Sequence, residues 1–283
     1  MNYDKLYNEI NQIVLNELAK GVIPWRKPWK SVNGLTAHNG ITKKPYRGIN
    51  YFITNIIACK YGYNDFYTFN QLKDKNAYVK KGEKGIKILY YDIKRNDEGE
   101  FEYAFTRYST VFNRGQCEGL KPLKITENTS TISIDDNAEQ IIKNYKTCPQ
   151  IACNGNSAYY MPSTDTVTVP NINQFEKVGE YYSTLFHELV HSTGAKKRLD
   201  RLIKTSFGTS EYAKEELVAE LGACYLRNIC NIDDIDTMKN SASYIEGWSK
   251  KLKEDNKFFI NASQYAQKAV DYMLNIKYED NQE

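Results

Sequence analysis

Histidine is scarce in this chain of 283 residues, which contains only His38, His187 and His191. The six cysteines include no C-x-x-C pair, and no apolar N-terminal segment of the signal-peptide kind is present. An even cysteine count therefore gives no reason to expect disulfides. No apolar run approaches the ~20 residues that span a bilayer. These absences lead us to expect a soluble, cytoplasmic protein without a membrane segment.

Two of the three histidines belong to one motif, H-E-x-x-H, at residues 187–191. On a helix, positions four apart share a face, so His187 and His191 can reach a single metal ion. Glu188 projects beside them, where it can serve as general base toward a metal-bound water. Gly194 follows where a helix C-cap is expected. The pattern predicts the metal-binding helix of a zinc hydrolase; the alternative is a buried amphipathic helix with two hydrogen-bonded histidines.

A catalytic zinc site needs a third protein ligand, and a second predicted helix, residues 214–223, supplies acidic candidates. Glu216 and Glu220 are four apart and share a face. One carboxylate can bind the metal while the other accepts the second N–H of a ligand histidine. Glu215 points about 100° away around the helix and is expected to be solvated. The spacing resembles that of zincins with a glutamate ligand, which implies Glu216 as ligand and Glu220 as supporting acid. The alternative is a merely exposed acidic face.

The developing oxyanion of a hydrolase needs a second electrophile besides the metal. Tyr159 and Tyr160 precede an alternating segment, residues 164–169, that is typical of a strand. We expect this strand to run along the active-site cleft with an edge that can hold an extended polypeptide. Either tyrosine is a candidate for the oxyanion or for substrate contact. Because the chain has 23 tyrosines, packing is the alternative role for both.

The charge is distributed unevenly along the chain. Residues 1–125 contain 21 Lys and Arg against 12 Asp and Glu, a net charge of +9, whereas residues 126–283 have a net charge of −6. Such asymmetry indicates a nucleic-acid-binding domain joined to a neutral or acidic one. A polar, weakly patterned stretch at 126–137 is typical of a linker. We therefore predict a first domain at 1–125 and a second at 138–283.

The basic half mixes cations with aromatic residues, a combination suited to single-stranded nucleic acid. Cations neutralise phosphates, and exposed rings stack on unpaired bases. The alternative is ordinary: tryptophans in the core and lysines on a solvated surface. The candidate DNA-binding residues are Trp25, Arg26, Lys27, Trp29, Lys30, Lys43, Lys44, Tyr46, Arg47, Lys80, Lys81 and Lys84.

These segments together resemble antirestriction proteins of the ArdC type. The resemblance lies at residues 23–30, 42–50 and 80–84 in the first half. In the second half it lies at residues 158–162 with Asp165, 187–194, 198–199, 212–220, 244–248 and 262–274. One departure lies at 66–69, where Phe-Tyr-Thr-Phe replaces a tryptophan-threonine pair of the family.

The resemblance implies a single-stranded DNA-binding module fused to a zincin-like metallopeptidase domain, in a protein of mobile elements that protects incoming DNA from host restriction. It also implies zinc at His187, His191 and Glu216, with Glu188 as catalytic acid and base. We expect an α+β protein with a small-sheet first domain and a mainly helical second domain. Two alternatives are a DNA-associated zinc protease that acts on DNA-bound proteins and a non-enzymatic protein that coats single strands and has a vestigial zinc site.

Overall fold

The computed structural model describes residues 3–26, 36–96, 101–123, 134–201, 209–232 and 242–276. The chain divides into two compact units. Unit 1 comprises residues 1–14 and 30–128, and unit 2 comprises residues 15–29 and 129–283. Residues 15–29, which the sequence prediction assigned to the first domain, thus belong to unit 2. Part of the predicted linker, residues 134–137, forms the start of a helix.

Unit 1 is built around a small sheet. Its four-stranded sheet has the order β1-β2-β5-β4, with a long antiparallel β4–β5 hairpin, and a separate pair is formed by β3 and β6. The elements of this part of the chain are α1 (Tyr3–Leu18), β1 (His38–Asn39), α2 (Ile49–Tyr61), β2 (Asp65–Thr68), α3 (Phe69–Asp74), β3 (Tyr78–Val79), β4 (Ile86–Arg95), β5 (Phe101–Asn113) and β6 (Cys117–Glu118).

The central helix of unit 1, α2, is apolar around most of its circumference and is largely buried. It ends at Gly62, whose φ of 76° is a left-handed C-cap that favours glycine. Asn50 joins this helix to the sheet: its Nδ2 donates to the Leu89 carbonyl at 2.7 Å, and its Oδ1 accepts from the Leu89 N–H at 2.8 Å. An amide side chain thereby completes the backbone hydrogen bonding of a buried strand residue.

Unit 2 is mainly helical. Its elements are α4 (Ile134–Asn144), β7 (Gln150–Cys153), β8 (Tyr159–Met161), β9 (Thr166–Val169), α5 (Val178–Thr193), α6 (Ser210–Ile229), α7 (Ala242–Glu254) and α8 (Phe258–Met273). The three strands have the order β7-β9-β8. The strand predicted at 164–169 is β9, and it is the central strand rather than an edge. The expectation that it offers an open edge is therefore wrong, and β8 occupies that position.

The helices α5 and α6 pack closely because Gly222 faces Val190. A Cβ at position 222 would lie 2.7 Å from Val190 Cγ2 and 2.9 Å from Cγ1, so only glycine allows this approach. Leu189, Leu217 and Leu221 are fully buried around the contact. This packing fixes how far apart the two helices hold their polar side chains. The architecture confirms the predicted α+β class, with a small-sheet first domain and a mainly helical second domain.

Among the described residues, no helix is both long and apolar enough to cross a membrane. All six cysteines are free, and Cys117, Cys224 and Cys230 are buried. Burial raises the pKa of the Cys117 thiol to about 11 and that of the Cys230 thiol to about 12. Such thiols remain protonated near neutral pH and behave as small apolar side chains.

Candidate metal centre

Helix α5 brings His187 and His191 together, as the motif predicts. Leu185, Leu189 and Val190 are buried on the core side of this helix, and the two imidazoles project into a cleft of about 800 Å³. Their Nε2 atoms converge to 3.1 Å. The helix ends at Thr193, and Gly194 follows with a φ of −75°, so its left-handed freedom is not used.

Helix α6 supplies the third donor. The two carboxylate oxygens of Glu216 lie 3.6 Å from His187 Nε2 and 3.6 Å from His191 Nε2, respectively. One ligand atom from each of the three residues lies within 4.8 Å of the other two, and ligand atoms bound at ~2.1 Å to one tetrahedral ion lie about 3.4 Å apart. His187, His191 and Glu216 therefore fit a divalent cation in the donor set expected from the sequence.

The charges around this triangle favour an ionised carboxylate. Burial alone would raise the pKa of Glu216, but the hydrogen bond from His187, the charges of both histidines and a hydrogen bond from Tyr212 lower it to about 2. Burial likewise opposes the charged form of His187, and its pKa is raised nonetheless by the hydrogen bond to Glu216 and the charges of Glu188, Glu216 and Glu220. The site is an acidic pocket that attracts a cation.

Glu188 lies where the motif predicts, beside the histidines in the same cleft. Only 8% of the residue is exposed. Its negative charge contributes to the raised pKa of both His187 and Tyr212. A buried carboxylate at this place can accept a proton from a reacting group within the cleft.

The histidine hydrogen bond that the sequence interpretation assigned to Glu220 is made by Glu215. Its Oε1 lies 3.2 Å from His191 Nδ1, and the expectation of a solvated Glu215 is wrong because its side chain is only 15% exposed. Arg201 holds the same carboxylate through Nε at 2.8 Å and Nη2 at 2.9 Å. It also donates to Thr193 Oγ1 and to the Val190 carbonyl. The order Arg201, Glu215, His191 orients the imidazole so that Nε2 faces the cleft.

Glu220 instead binds Trp25 and Arg26, together with Tyr244 of α7. Its carboxylate accepts hydrogen bonds from Trp25 Nε1 at 2.7 Å, from Arg26 Nη2 at 3.2 Å and from the Tyr244 hydroxyl. Trp25 is 1% exposed and packs against Trp248. The interpretation of Trp25 as a DNA-binding ring is therefore wrong: it is a core residue of unit 2. Arg26 is held between Glu220 and the Tyr244 ring, 3.9 Å from the ring centroid.

Tyrosines from three elements line the cleft with the histidines: Tyr159 and Tyr160 from β8, Tyr212 from α6 and Tyr265 from α8. Tyr159 is 44% exposed, while the Tyr160 hydroxyl donates to Asp165 at 2.8 Å and is thereby occupied. The Tyr212 hydroxyl hydrogen-bonds to Glu216, and burial together with this bond raises its pKa to about 12. The sequence interpretation missed Tyr212, although its position four residues before Glu216 places it on the same helix face.

The remaining DNA-binding candidates divide by exposure. Lys43, Lys44, Lys80, Lys81 and Lys84 are exposed and Arg47 is half-buried in unit 1. The prediction of Tyr46 as a DNA-binding residue is wrong, because its ring is buried. The residue is 8% exposed and packs edge-on against Phe66. Lys27, Trp29 and Lys30 lie outside the described residues.

Two rings of unit 1 are more than half exposed among the described residues. Phe69 is 63% exposed and Tyr78 is 58% exposed. They belong to α3 and β3, the segment that also contributes Leu72, Ala77 and Val79 to a local apolar cluster. Exposed lysines at 73, 75, 80, 81 and 84 surround them in the sequence. This segment combines rings and cations as the tryptophan segment was expected to do.

Comparison with known proteins assigns both halves of the chain. Residues 4–112 match the N-terminal domain of anti-restriction factor ArdC, and residues 136–265 match the zincin-like metallopeptidase family MPTase-PolyVal. The fold superposes on the Mn(II)-bound crystal structure of antirestriction ArdC protein from R388 plasmid with a TM-score of 0.76. The sequence identity is 31%, and the match covers 95% of this chain and 97% of that one. The chain belongs to the ArdC family. The resemblance drawn from the sequence is thereby confirmed.

Two further relatives extend the family. Protein y4eC of Sinorhizobium fredii is 30% identical over 95% of this chain and 91% of its own length. DNA primase TraC of Escherichia coli is 32% identical over 92% of this chain, which spans about a fifth (19%) of that protein. An ArdC-type sequence therefore occurs both at nearly full length and within a much longer protein. The zincin-like domain and its two-histidine, one-carboxylate donor set imply a divalent metal in this ArdC-family chain.

Proposed function

We propose that this ArdC-family chain is a zinc-dependent metallopeptidase and single-stranded DNA-binding protein that protects incoming DNA from host restriction. The observation that supports hydrolysis is the triangle of His187, His191 and Glu216 with Glu188 beside it in an open cleft. Two imidazoles and a carboxylate with an open fourth position are the donor set of a catalytic zinc site. Zinc is also bound more strongly than manganese by such ligands.

When bound, the cation supplies Lewis acidity that polarises a substrate carbonyl and activates water. His187, His191 and Glu216 would hold it, and the Arg201–Glu215 pair keeps His191 in the tautomer that leaves Nε2 free. Glu188 would accept a proton from the attacking water and deliver it to the leaving amine nitrogen. Its near-complete burial favours this transfer, because bulk water does not compete for the proton within the cleft.

Tyr212 is the hydroxyl donor that best fits the oxyanion. Its raised pKa, about 12, keeps the phenol protonated near neutral pH, so the hydroxyl can donate throughout the reaction. Tyr160 is less suited, since its hydroxyl is directed at Asp165, which Arg198 and Lys197 also bind, whereas the Tyr212 hydroxyl is directed at the metal-binding residue Glu216. Tyr159 would contact the substrate chain instead: it belongs to β8, an outer strand of the three-stranded sheet, and an extended peptide can add to such an edge.

Unit 1 would bind the DNA. The exposed rings of Phe69 and Tyr78 can stack on unpaired bases, and the lysines at 80, 81 and 84 can neutralise phosphates. Paired bases in a duplex hide their faces, so this combination favours single strands. The match of residues 4–112 to the ArdC N-terminal domain supports the same assignment.

The test compares the full chain with its Glu188→Gln variant and with Glu211→Gln, which removes an exposed carboxylate from the same cleft. All three proteins should bind one metal ion per chain by mass spectrometry. Cleavage of a defined peptide pool should fall about 10²–10⁴-fold in Glu188→Gln alone, and protection of incoming unmodified DNA should fall with it.

The alternatives give different results. Full protection by Glu188→Gln, with DNA binding retained, would leave a DNA-coating protein whose metal is structural or vestigial. Cleavage of other DNA-bound proteins in a host lacking restriction enzymes, abolished by Glu188→Gln, would favour a protease that acts on DNA-bound proteins.

A further inference from the structure

Lysines and a tyrosine form a distinct surface on the α6 and α8 side of the metal cleft. Lys214 of α6 and Tyr265 of α8 both line the cleft. The Lys214 ammonium lies 5.0 Å from the centroid of the Tyr265 ring, and the Lys268 ammonium lies 6.0 Å from the same centroid. Tyr265 is 39% exposed. Two cations thus share one ring at the open side of the cleft.

These two lysines differ from the other cations around the cleft. Arg201 is bound to Glu215, and Arg198 and Lys197 are bound to Asp165. By contrast, neither Lys214 nor Lys268 has a carboxylate oxygen within 4.0 Å among the residues that the structure describes. The aromatic ring attracts the two ammonium groups without neutralising their charge. Both ammonium groups are therefore available to an anion.

We propose that Lys214, Tyr265 and Lys268 form a subsite for an acidic side chain, Asp or Glu, of an extended polypeptide substrate. This inference rests on the proposed peptidase function and names its substrate class. Lys214 and Tyr265 line the same cleft as Glu216, so the subsite belongs to the cleft that holds the reacting bond. An edge-bound peptide on β8 directs alternate side chains to either face, and one set of them would meet α6 and α8.

A nucleic-acid strand fits this surface less well. Glu188, Glu211 and Glu216 line the same cleft, and residues 126–283 have a net charge of −6. The phosphates of a nucleic-acid strand would be repelled by these negative charges along the whole length of the strand. A single carboxylate between two ammonium groups meets it only locally, and the peptide around it is uncharged.

The experiment uses the full chain, loaded with zinc, and a synthetic peptide pool in which every position varies. Capture is measured with Glu188→Gln, so that hydrolysis is not required for the result. The captured peptides should be enriched in Asp and Glu at one position. The double variant Lys214→Glu/Lys268→Glu should abolish that enrichment, an expected change of about fivefold or more, and should favour Lys or Arg there instead.

A matched double variant, Lys146→Glu/Lys250→Glu, makes the same change in net charge at exposed positions outside the cleft lining. It should leave the acidic enrichment intact. Equal enrichment in both double variants, or none in the parent protein, would overturn the subsite. Unchanged peptide capture with weaker binding of single-stranded DNA in Lys214→Glu/Lys268→Glu would also overturn it. Acidic capture by Glu188→Gln without any cleavage by the parent chain would support the subsite and reject the peptidase function.

Discussion

The metal centre of unit 2 and the lysine-rich segment of unit 1 use charge in opposite ways. Around His191, each charged group has a defined partner: Glu215 binds the imidazole, and Arg201 binds Glu215. Around Phe69 and Tyr78, the lysines are exposed, and among the described residues the Lys80 ammonium donates only to the Gly115 carbonyl. A site of the first kind is pre-organised and sensitive to small displacements, whereas a surface of the second kind acts through its summed field and tolerates single changes.

The largest effect should come from an aromatic residue that the sequence associates with DNA. Trp25→Ala removes a fully buried ring and the Nε1 hydrogen bond to Glu220. We expect the free energy of unfolding to fall by about 3–5 kcal/mol, measured by urea denaturation. Trp25→Phe should recover most of this loss, because it restores the packing against Trp248. Wild-type stability of Trp25→Ala would show that the ring is not in the core.

The next effect concerns Asp165, which joins the strands to the end of α5. Its carboxylate is bound by the fully buried Arg198 side chain at 2.7 and 2.9 Å and by Lys197. The hydrogen bond from Arg198, with further ones from Lys197 and Tyr160, outweighs burial and holds the pKa of Asp165 well below its usual range. Asp165 has a φ of 51°, a conformation that asparagine tolerates, so Asp165→Asn removes the charge without straining the backbone.

We expect Asp165→Asn to lower the free energy of unfolding by about 2 kcal/mol at pH 7. Because the pKa is depressed in the folded state, this contribution is complete above the unfolded-state value of about 4. It is lost as the pH falls below that value toward the folded-state pKa. The difference between wild type and variant should therefore be constant from pH 7 to 5 and shrink below pH 4. A difference that grows on acidification would contradict the assignment.

A third effect tests the support of the metal ligand. Glu215→Gln keeps the shape of the side chain but removes the charge that faces His191 and Arg201. Loss of such a supporting carboxylate weakens metal binding by about 10–100-fold, and competition with a chelator would measure it. Glu211→Gln, an exposed change on the same helix, is the control. Equal affinities in the two variants would show that the Glu215 charge does not support metal binding.

The choice between Glu215 and Glu220 shows where prediction from the sequence stops. His187, Glu188 and His191 lie within one helical turn and a half, so their common face follows from local periodicity. Within α6, periodicity places Glu216 and Glu220 on one face, and the resemblance to zincins with a glutamate ligand implied which of them binds the metal. Which neighbour of Glu216 meets His191 depends instead on how α6 is rotated against α5, which the contact between Gly222 and Val190 helps to fix. The spacing of residues within one helix does not determine how that helix is rotated against another.

The aromatic residues show the same limit at long range. Trp25 is 195 residues from Glu220 in the sequence, and no local pattern indicates their hydrogen bond. Its flanking cations favoured a DNA surface, yet Arg26 is bound to Glu220 as well. The small-sheet and helical classes of the two units were predictable from alternation and helical periodicity. The side on which each ring lies depends on contacts between distant segments.

The smallest effects belong to unit 1, where rings and lysines should respond differently to salt. Phe69→Ala removes a stacking ring that is 63% exposed. We expect the affinity for a short labelled oligothymidine to fall about tenfold at every salt concentration, since stacking contributes ~1–3 kcal/mol per base. Leu123→Ala, which removes an exposed aliphatic side chain, should change it little. Fluorescence anisotropy measures both.

The corresponding lysine variant is Lys81→Gln. It removes the charge of an exposed side chain and keeps a polar side chain of similar length. Each phosphate contact with a single strand contributes about 0.7 to the slope of log affinity against log salt, so the slope should become shallower by roughly that amount. At high salt the variant and wild type should converge, because the contact acts through counterion release. Lys20→Gln is the control, as that ammonium already lies 2.6 Å from Glu17. A changed slope in Phe69→Ala with an unchanged slope in Lys81→Gln would contradict the assignment of base stacking to the rings and phosphate binding to the lysines.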